Sequence, residues 1–177
     1  MGKRIAGGGA GDIHKIKNNN TDVLKIYKTS NDRALYAPKI EAMLLNTPEL
    51  DTSIIKNKMF HQLAWPNYAA YDKLGNFLGF SMPEIDFQNS VSLERMLQKK
   101  IRQISKLPEF YGYRVSLVYN IATCVSILHK IGHHIIDFKP INCRLDPETM
   151  LVSIIDCDGF SINNDEDKYP AYQFTPE

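Results

Sequence analysis

Two stretches decide how this chain reads: Gly132-His133-His134-Ile135-Ile136-Asp137-Phe138-Lys139-Pro140-Ile141-Asn142 and, further on, Leu151-Val152-Ser153-Ile154-Ile155-Asp156-Cys157-Asp158-Gly159-Phe160. Asp, Lys and Asn at the spacing Asp-x-Lys-x-x-Asn describe a polar loop equally well as a site. Asp156 narrows the choice, because it ends an apolar run that reads as a buried strand, and a buried carboxylate without a strong partner is costly. Together the two stretches read as a nucleotide and metal site, with Asp158 as a second acid beside the first.

The surroundings of these stretches follow local rules. Leu117, Ile121, Val125 and Leu128 recur at helical spacing between Tyr111 and Ile131, and Gly132 supplies the stop. Arg144 to Ile155 reads as strand, turn and strand. His133 and His134 near Cys143 raise a metal cluster, but zinc spacing is missing, and packing histidines are the commoner outcome.

Toward the N-terminus, Ile5 to Ile13 carries a glycine run, with Lys15 to Lys17, an Asn18-Asn19-Asn20 turn and Val23-Leu24-Lys25-Ile26-Tyr27 after it. This is the pattern of a hairpin with a glycine-rich loop and a third strand. Glycines let backbone N–H groups approach phosphates, and a flexible terminus explains them equally well. No helix and no Gly-Lys-Ser/Thr follow, so the loop is not of the Walker or Rossmann kind. Strand alternation puts Val23, Lys25 and Tyr27 on one face. Lys25 there either presents an ammonium to a phosphate or is a solvent-facing strand lysine.

Pro38 to Asn46 reads as a short helix with Pro in its first turn. Its Glu41 either reaches Lys25 or sits on the surface near the helix N-terminus. Residues 46–57 read as an irregular connector with one helical turn around Ile54 and Ile55. Trp65-Pro66 reads as a structural anchor, and Ala69 to Asp72 and Phe77 to Pro83 as two strands around a Lys73–Asn76 turn, which brings the sheet to five strands. Ser92 to Lys106 reads as one helix with a solvated basic face, and the stretch from Asn163 onward as polar, then aromatic and extended.

Composition sets the outer limits. The 177 residues are 44% hydrophobic and 23% charged with net charge +1, enough to build a core and without a bias toward nucleic acid or membrane. Three cysteines without Cys-x-x-Cys spacing point to reduced thiols and a cytoplasmic setting. The start lacks an apolar secretory segment, position 6 is Ala where a myristoylation motif needs Ser or Thr, and the apolar stretch Val115 to Ile131 is interrupted by Asn120, Thr123 and His129.

The order of these features, glycine-rich hairpin, strand lysine, helix glutamate, five strands, long helix, Asp-to-Asn loop and strand-end Asp, resembles the protein-kinase fold. The wording of Lys39 to Leu44, Leu63 to Pro66, Gly79 to Pro83 and Ile154 to Phe160 resembles a bacterial kinase-like family associated with tellurite-resistance-type von Willebrand factor A proteins and PP2C phosphatases. The resemblance implies an α+β fold: a five-stranded antiparallel N-lobe sheet with one helix over residues 1–84, and a truncated, mainly helical C-lobe over 85–177. Thr175-Pro176-Glu177 is similar to the loop that follows the activation segment.

What the resemblance implies for function is an ATP- and magnesium-dependent protein serine/threonine kinase, with a nucleotide-binding or protein-interaction pseudokinase as the alternative. Gly8, Gly9 and Gly11 would cover the ATP phosphates, Lys25 would hold the α and β phosphates, and Glu41 would hold Lys25. Glu84 and Ile85 would meet adenine, Asp137 would act on the acceptor hydroxyl, Lys139 would neutralise the transferring group, and Asn142 with Asp156 would hold magnesium. Expected partners are a protein substrate, a von Willebrand factor A-type protein and a PP2C-type phosphatase. Four departures stand out: Ile135-Ile136 replaces His-Arg, Asp156-Cys157-Asp158 replaces Asp-Phe-Gly, Ala6 replaces the first loop glycine, and Asp12 adds a negative charge beside the phosphates.

Overall fold

The computed structural model describes residues 1–50, 53–55, 58–164 and 167–172. Strands β1 (Arg4–Gly7), β2 (Gly11–Ile16) and β3 (Asn19–Tyr27) lead into helix α1 (Ser30–Leu45), then β4 (Ser53–Ile55), β5 (Lys58–Phe60), β6 (Tyr68–Tyr71), β7 (Phe77–Pro83) and β8 (Val91–Ser92). Helices α2 (Glu94–Leu97), α3 (Lys99–Ile104) and α4 (Tyr111–Lys130) follow, then β9 (Cys143–Leu145), β10 (Val152–Ile154), β11 (Ile162–Asn164) and β12 (Asp167–Tyr169). The fold is mixed α+β, and its main sheet has five antiparallel strands in the order β1-β2-β3-β7-β6.

The sheet owes its register to alternation and turn chemistry. Val23, Lys25 and Tyr27 are buried, while Leu24 and Ile26 on the opposite face are half-buried. Asn18 takes a left-handed φ of 60° in the β2–β3 turn, and the side chain of Asn19 accepts the N–H groups of Thr21 and Asp22. Asp72 organises the β6–β7 turn by accepting from the N–H groups of Leu74 and Asn76, with Gly75 at φ 84°. Gly79 lies so close to β3 that an added Cβ would stand 1.9 Å from the Lys25 carbonyl oxygen, which makes glycine obligatory there.

Three local expectations are corrected. Helix α1 begins at Ser30 rather than Pro38, because Thr29 caps it by accepting the Asp32 N–H at 3.0 Å. Pro38 therefore sits inside the helix; it is exposed, as is Ala34, so the carbonyl that loses its bond faces water. Ile54 and Ile55 belong to a strand paired with β5 rather than to a helical turn, as β-branched residues favour. The span Ser92 to Lys106 is not one helix: Gln98, extended at φ −109° and ψ 126°, separates α2 from α3.

Helix α4 and the β9–β10 pair form as expected, and Gly132 ends the helix at φ 77°. One hydrophobic cluster runs from Tyr27, Ile40, Met43 and Phe80 through Leu63 and Trp65 to Leu128, Ile154 and Phe160, so the sheet and the following half share a core. Trp65 is the anchor expected of it, donating its indole N–H to the Met43 carbonyl at 3.0 Å and stacking on His133. Among the described residues, no helix is long and apolar enough to cross a membrane.

Candidate functional site

Lys25 is the centre of the site. It lies on the middle strand of the sheet, cross-paired with Phe80, and is 8% exposed, which excludes a solvent-facing role. Its Nζ lies 2.7 Å from each carboxylate oxygen of Asp158 and 2.9 Å from Asp156 Oδ1. The Tyr27 hydroxyl donates to Asp158 Oδ2 at 2.8 Å. Burial works against the Lys25 charge, but the two carboxylates overcome it and hold its pKa above the ordinary lysine value. Burial likewise opposes the Asp158 carboxylate, and the Lys25 ammonium outweighs it, so the Asp158 pKa is lowered. Burial, reinforced by the Asp158 charge, raises the Tyr27 hydroxyl pKa.

The two acids differ although a single residue separates them. Asp156 follows β10 by two positions and opens the turn Cys157–Gly159 in the left-handed conformation at φ 63°, and its side chain is 45% exposed. A short turn, closed by the Gly159 N–H on the Asp156 carbonyl, then carries Asp158 inward, where its side chain is 3% exposed.

Asp137, Lys139 and Asn142 follow α4 in a loop stitched by its own backbone: the Lys139 N–H donates to the Asp137 carbonyl and the Asn142 N–H to the Lys139 carbonyl, both at 2.9 Å. Lys139 pairs with the Asp137 carboxylate. The Asn142 carbonyl accepts the Ile155 N–H at 2.9 Å and so ties this loop to the strand end bearing Asp156. Asp137, Asn142 and Asp156 consequently line one small cavity of about 20 Å³, together with Ile135, Phe138 and Phe160. Lys25, Asp137, Lys139, Asn142 and Asp156 are thus brought into one region.

Other expected residues lie elsewhere or act differently. Glu41 is exposed on α1 and accepts the Tyr71 hydroxyl at 3.1 Å; the carboxylates on Lys25 are those of Asp156 and Asp158. Glu84 pairs with Lys15, its N–H is committed to the Thr21 carbonyl at 2.8 Å, and Ile85 is half-buried just after β7. Of the loop glycines, Gly11 is demanded by packing, since a Cβ would stand 2.8 Å from the Ile26 carbonyl oxygen and 3.3 Å from Lys25 Cγ. Around Gly9 a Cβ would meet nothing within 4 Å, and at Gly8 only the Gly11 carbonyl at 4.0 Å, so the loop tip is open. The expected repulsion from Asp12 is offset: Arg4 lies 3.0 Å and Lys28 3.8 Å away, and the bond from Arg4 leads in lowering its pKa.

Sequence reasoning overlooked Lys39. It is fully buried on the core face of α1 with Tyr36, Ile40 and Met43, donating to the Pro170 carbonyl at 2.9 Å, with the Tyr36 and Tyr172 rings 5.8 and 5.0 Å from its Nζ. Burial lowers its pKa to about 8, against the pull of Asp158 and with the push of Lys25. The spacing of Tyr36, Lys39, Ile40 and Met43 is the signal that places it inward.

The donor set suits a hard cation. Asp156 and Asn142 offer two oxygens at the cavity, and among the described residues no cluster of three or more His, Cys, Asp or Glu could hold a metal. Two protein oxygens, with phosphate and water completing the shell, is the usual protein share for magnesium. His133 serves the core: its Nδ1 accepts the Asn163 N–H at 3.2 Å, leaving Nε2 to donate to the Asn46 carbonyl at 3.0 Å. The sequence matches no protein-family model and no curated protein. Thr175 to Glu177, similar in sequence to a post-activation loop, lie outside the described residues.

Proposed function

We propose that the chain has a protein-kinase-like fold and is an ATP- and magnesium-dependent protein serine/threonine kinase. The observation that carries the reading is the convergence of Asp137, Asn142 and Asp156 on one cavity, with Asp156 bonded to Lys25 from the sheet. Bound with magnesium, ATP supplies the phosphoryl group: the bond from its terminal phosphorus to the bridging oxygen breaks, one to the acceptor oxygen forms, and the hydroxyl proton departs. Asp137 receives that proton on its carboxylate. Lys139, beside Asp137, offsets negative charge, Lys25 orients phosphate oxygens, and Asn142 and Asp156 hold the cation. The Gly8 N–H is committed to the Gly11 carbonyl at 2.9 Å, so the space around Gly9, where a Cβ would meet nothing within 4 Å, is what the loop tip offers to phosphates. Three buried free thiols support a cytoplasmic setting, and the acceptor is a protein hydroxyl. By the sequence resemblance, von Willebrand factor A-type and PP2C-type proteins are its partners.

One observation favours a second reading, a nucleotide-binding pseudokinase or interaction module: Lys25 is tied to two carboxylates and Asp137 to Lys139. The purified chain, given magnesium and ATP labelled on the γ or α phosphate, separates the two when its own hydroxyls and an added generic acceptor protein are assayed. The kinase transfers γ label, and Lys25→Ala, Asp137→Ala and Asp156→Asn each abolish transfer. ATP binding without transfer leaves the module, transfer of α label alone means nucleotidylation, and no rise in melting temperature with ATP removes every nucleotide reading.

A further inference from the structure

We infer that Asp158, steadied by Tyr27, is the residue that positions Lys25, the role the helix glutamate would otherwise fill, and that this leaves Asp156 free to hold a cation. The inference rests on the nucleotide-site reading for its consequence but not for its geometry.

Three observations carry it. Asp158 meets Lys25 through both carboxylate oxygens at 2.7 Å, whereas Asp156 makes one contact at 2.9 Å. Asp158 is 3% exposed and also accepts from Tyr27, a fully buried ring stacked on Tyr36 of α1 at 4.7 Å, so it cannot turn away without stranding two buried donors. Asp156 is 45% exposed at a cavity that it shares with Asn142, so exchanging Lys25 for a cation strands nothing.

The helix side of the site agrees. Its inward-facing charged residue is Lys39 rather than an acid, and Glu41 is engaged by Tyr71 at the surface. A lysine facing the pair from α1 adds positive charge near Asp158, so the carboxylate that holds Lys25 has to come from the segment after β10. The spacing Asp156-x-Asp158 then divides labour: the outer acid faces the cavity and the inner one fixes the amine.

The test begins without nucleotide. In protein carrying isotope-labelled lysine, the ammonium protons of Lys25, held by buried bonds, exchange slowly and give a signal identified by its loss in Lys25→Met. Asp158→Asn removes or strongly broadens that signal, Tyr27→Phe shifts it, and Glu41→Gln leaves it in place. Loss in Glu41→Gln with retention in Tyr27→Phe overturns the inference, and Tyr27→Phe keeps the test decisive if Asp158→Asn does not fold. With magnesium ATP, Asp158→Asn then weakens affinity about tenfold or more, which is about 1.4 kcal/mol or more, and Asp158→Glu restores part of it. An unchanged affinity for Asp158→Asn also overturns it. Should wild type bind no ATP, the nucleotide reading fails while the ammonium signal still judges Asp158.

Discussion

The two walls of the buried site treat lysine in opposite ways. On the sheet wall, Lys25 is almost buried and meets two carboxylates, which keep it charged. On the helix wall, Lys39 is fully buried and meets one carbonyl and two aromatic rings, and its pKa falls to about 8. Burial is common to both, so partner chemistry decides which one carries a dependable charge. That difference leaves a charged amine on the sheet wall and a weakly held one on the helix wall.

Removing the sheet-wall acid has the largest effect. Asp158→Ala leaves Lys25 with Asp156 alone and Tyr27 with no acceptor, and should cost about 3–5 kcal/mol in urea unfolding. A loss under about 1 kcal/mol would mean that the two lysines differ for some reason other than this carboxylate.

Lys39 gives the next effect, read against pH. Its pKa is about 8 folded and near 10.5 unfolded, so between these values the unfolded chain binds more protons and stability rises with pH. The burden of charging Lys39 is full below pH 8 and relieved above it, by up to about 3 kcal/mol. Lys39→Met should abolish that rise, measured by urea unfolding at about pH 7.5 and about pH 10. A variant with the wild-type slope would assign the titration to another group.

Two smaller changes test how the helix wall is held. Thr29→Ala removes the cap that sets the start of α1 and should lower stability by about 1 kcal/mol in the same assay. Glu41→Gln alters the exposed contact with Tyr71 and should stay within about 0.5 kcal/mol of wild type. A large Glu41 effect would place an acid on the helix wall after all.

Much of the frame was legible because its causes are local. Alternation in Val23 to Tyr27, the turn at Asp72 to Asn76 and the spacing of Leu117, Ile121 and Leu128 each announce their element. The misreadings have local causes too. Pro38 reads as a first-turn proline while the cap that starts the helix is Thr29, and nothing around Gln98 marks a break. At the site, the spacing of Asp137, Lys139 and Asn142 and the apolar run before Asp156 drew attention to these residues, and Asp137, Asn142 and Asp156 line one cavity.

The sequence by itself determined which faces are apolar, where the chain turns and which residues carry charge, since these depend on neighbours a few positions away. Tertiary structure alone decided which acid holds Lys25 through both oxygens and which meets it through one. The two candidates stand one residue apart, and the left-handed backbone at Asp156 with the turn after it sends one outward and one inward to an amine 133 positions earlier. Expecting Asp156 as metal ligand came from the sequence resemblance, which gave Asp158 no such role. The buried bidentate pair arises only when strand, helix and turn close on the same volume, where an unpaired charge is too costly to leave.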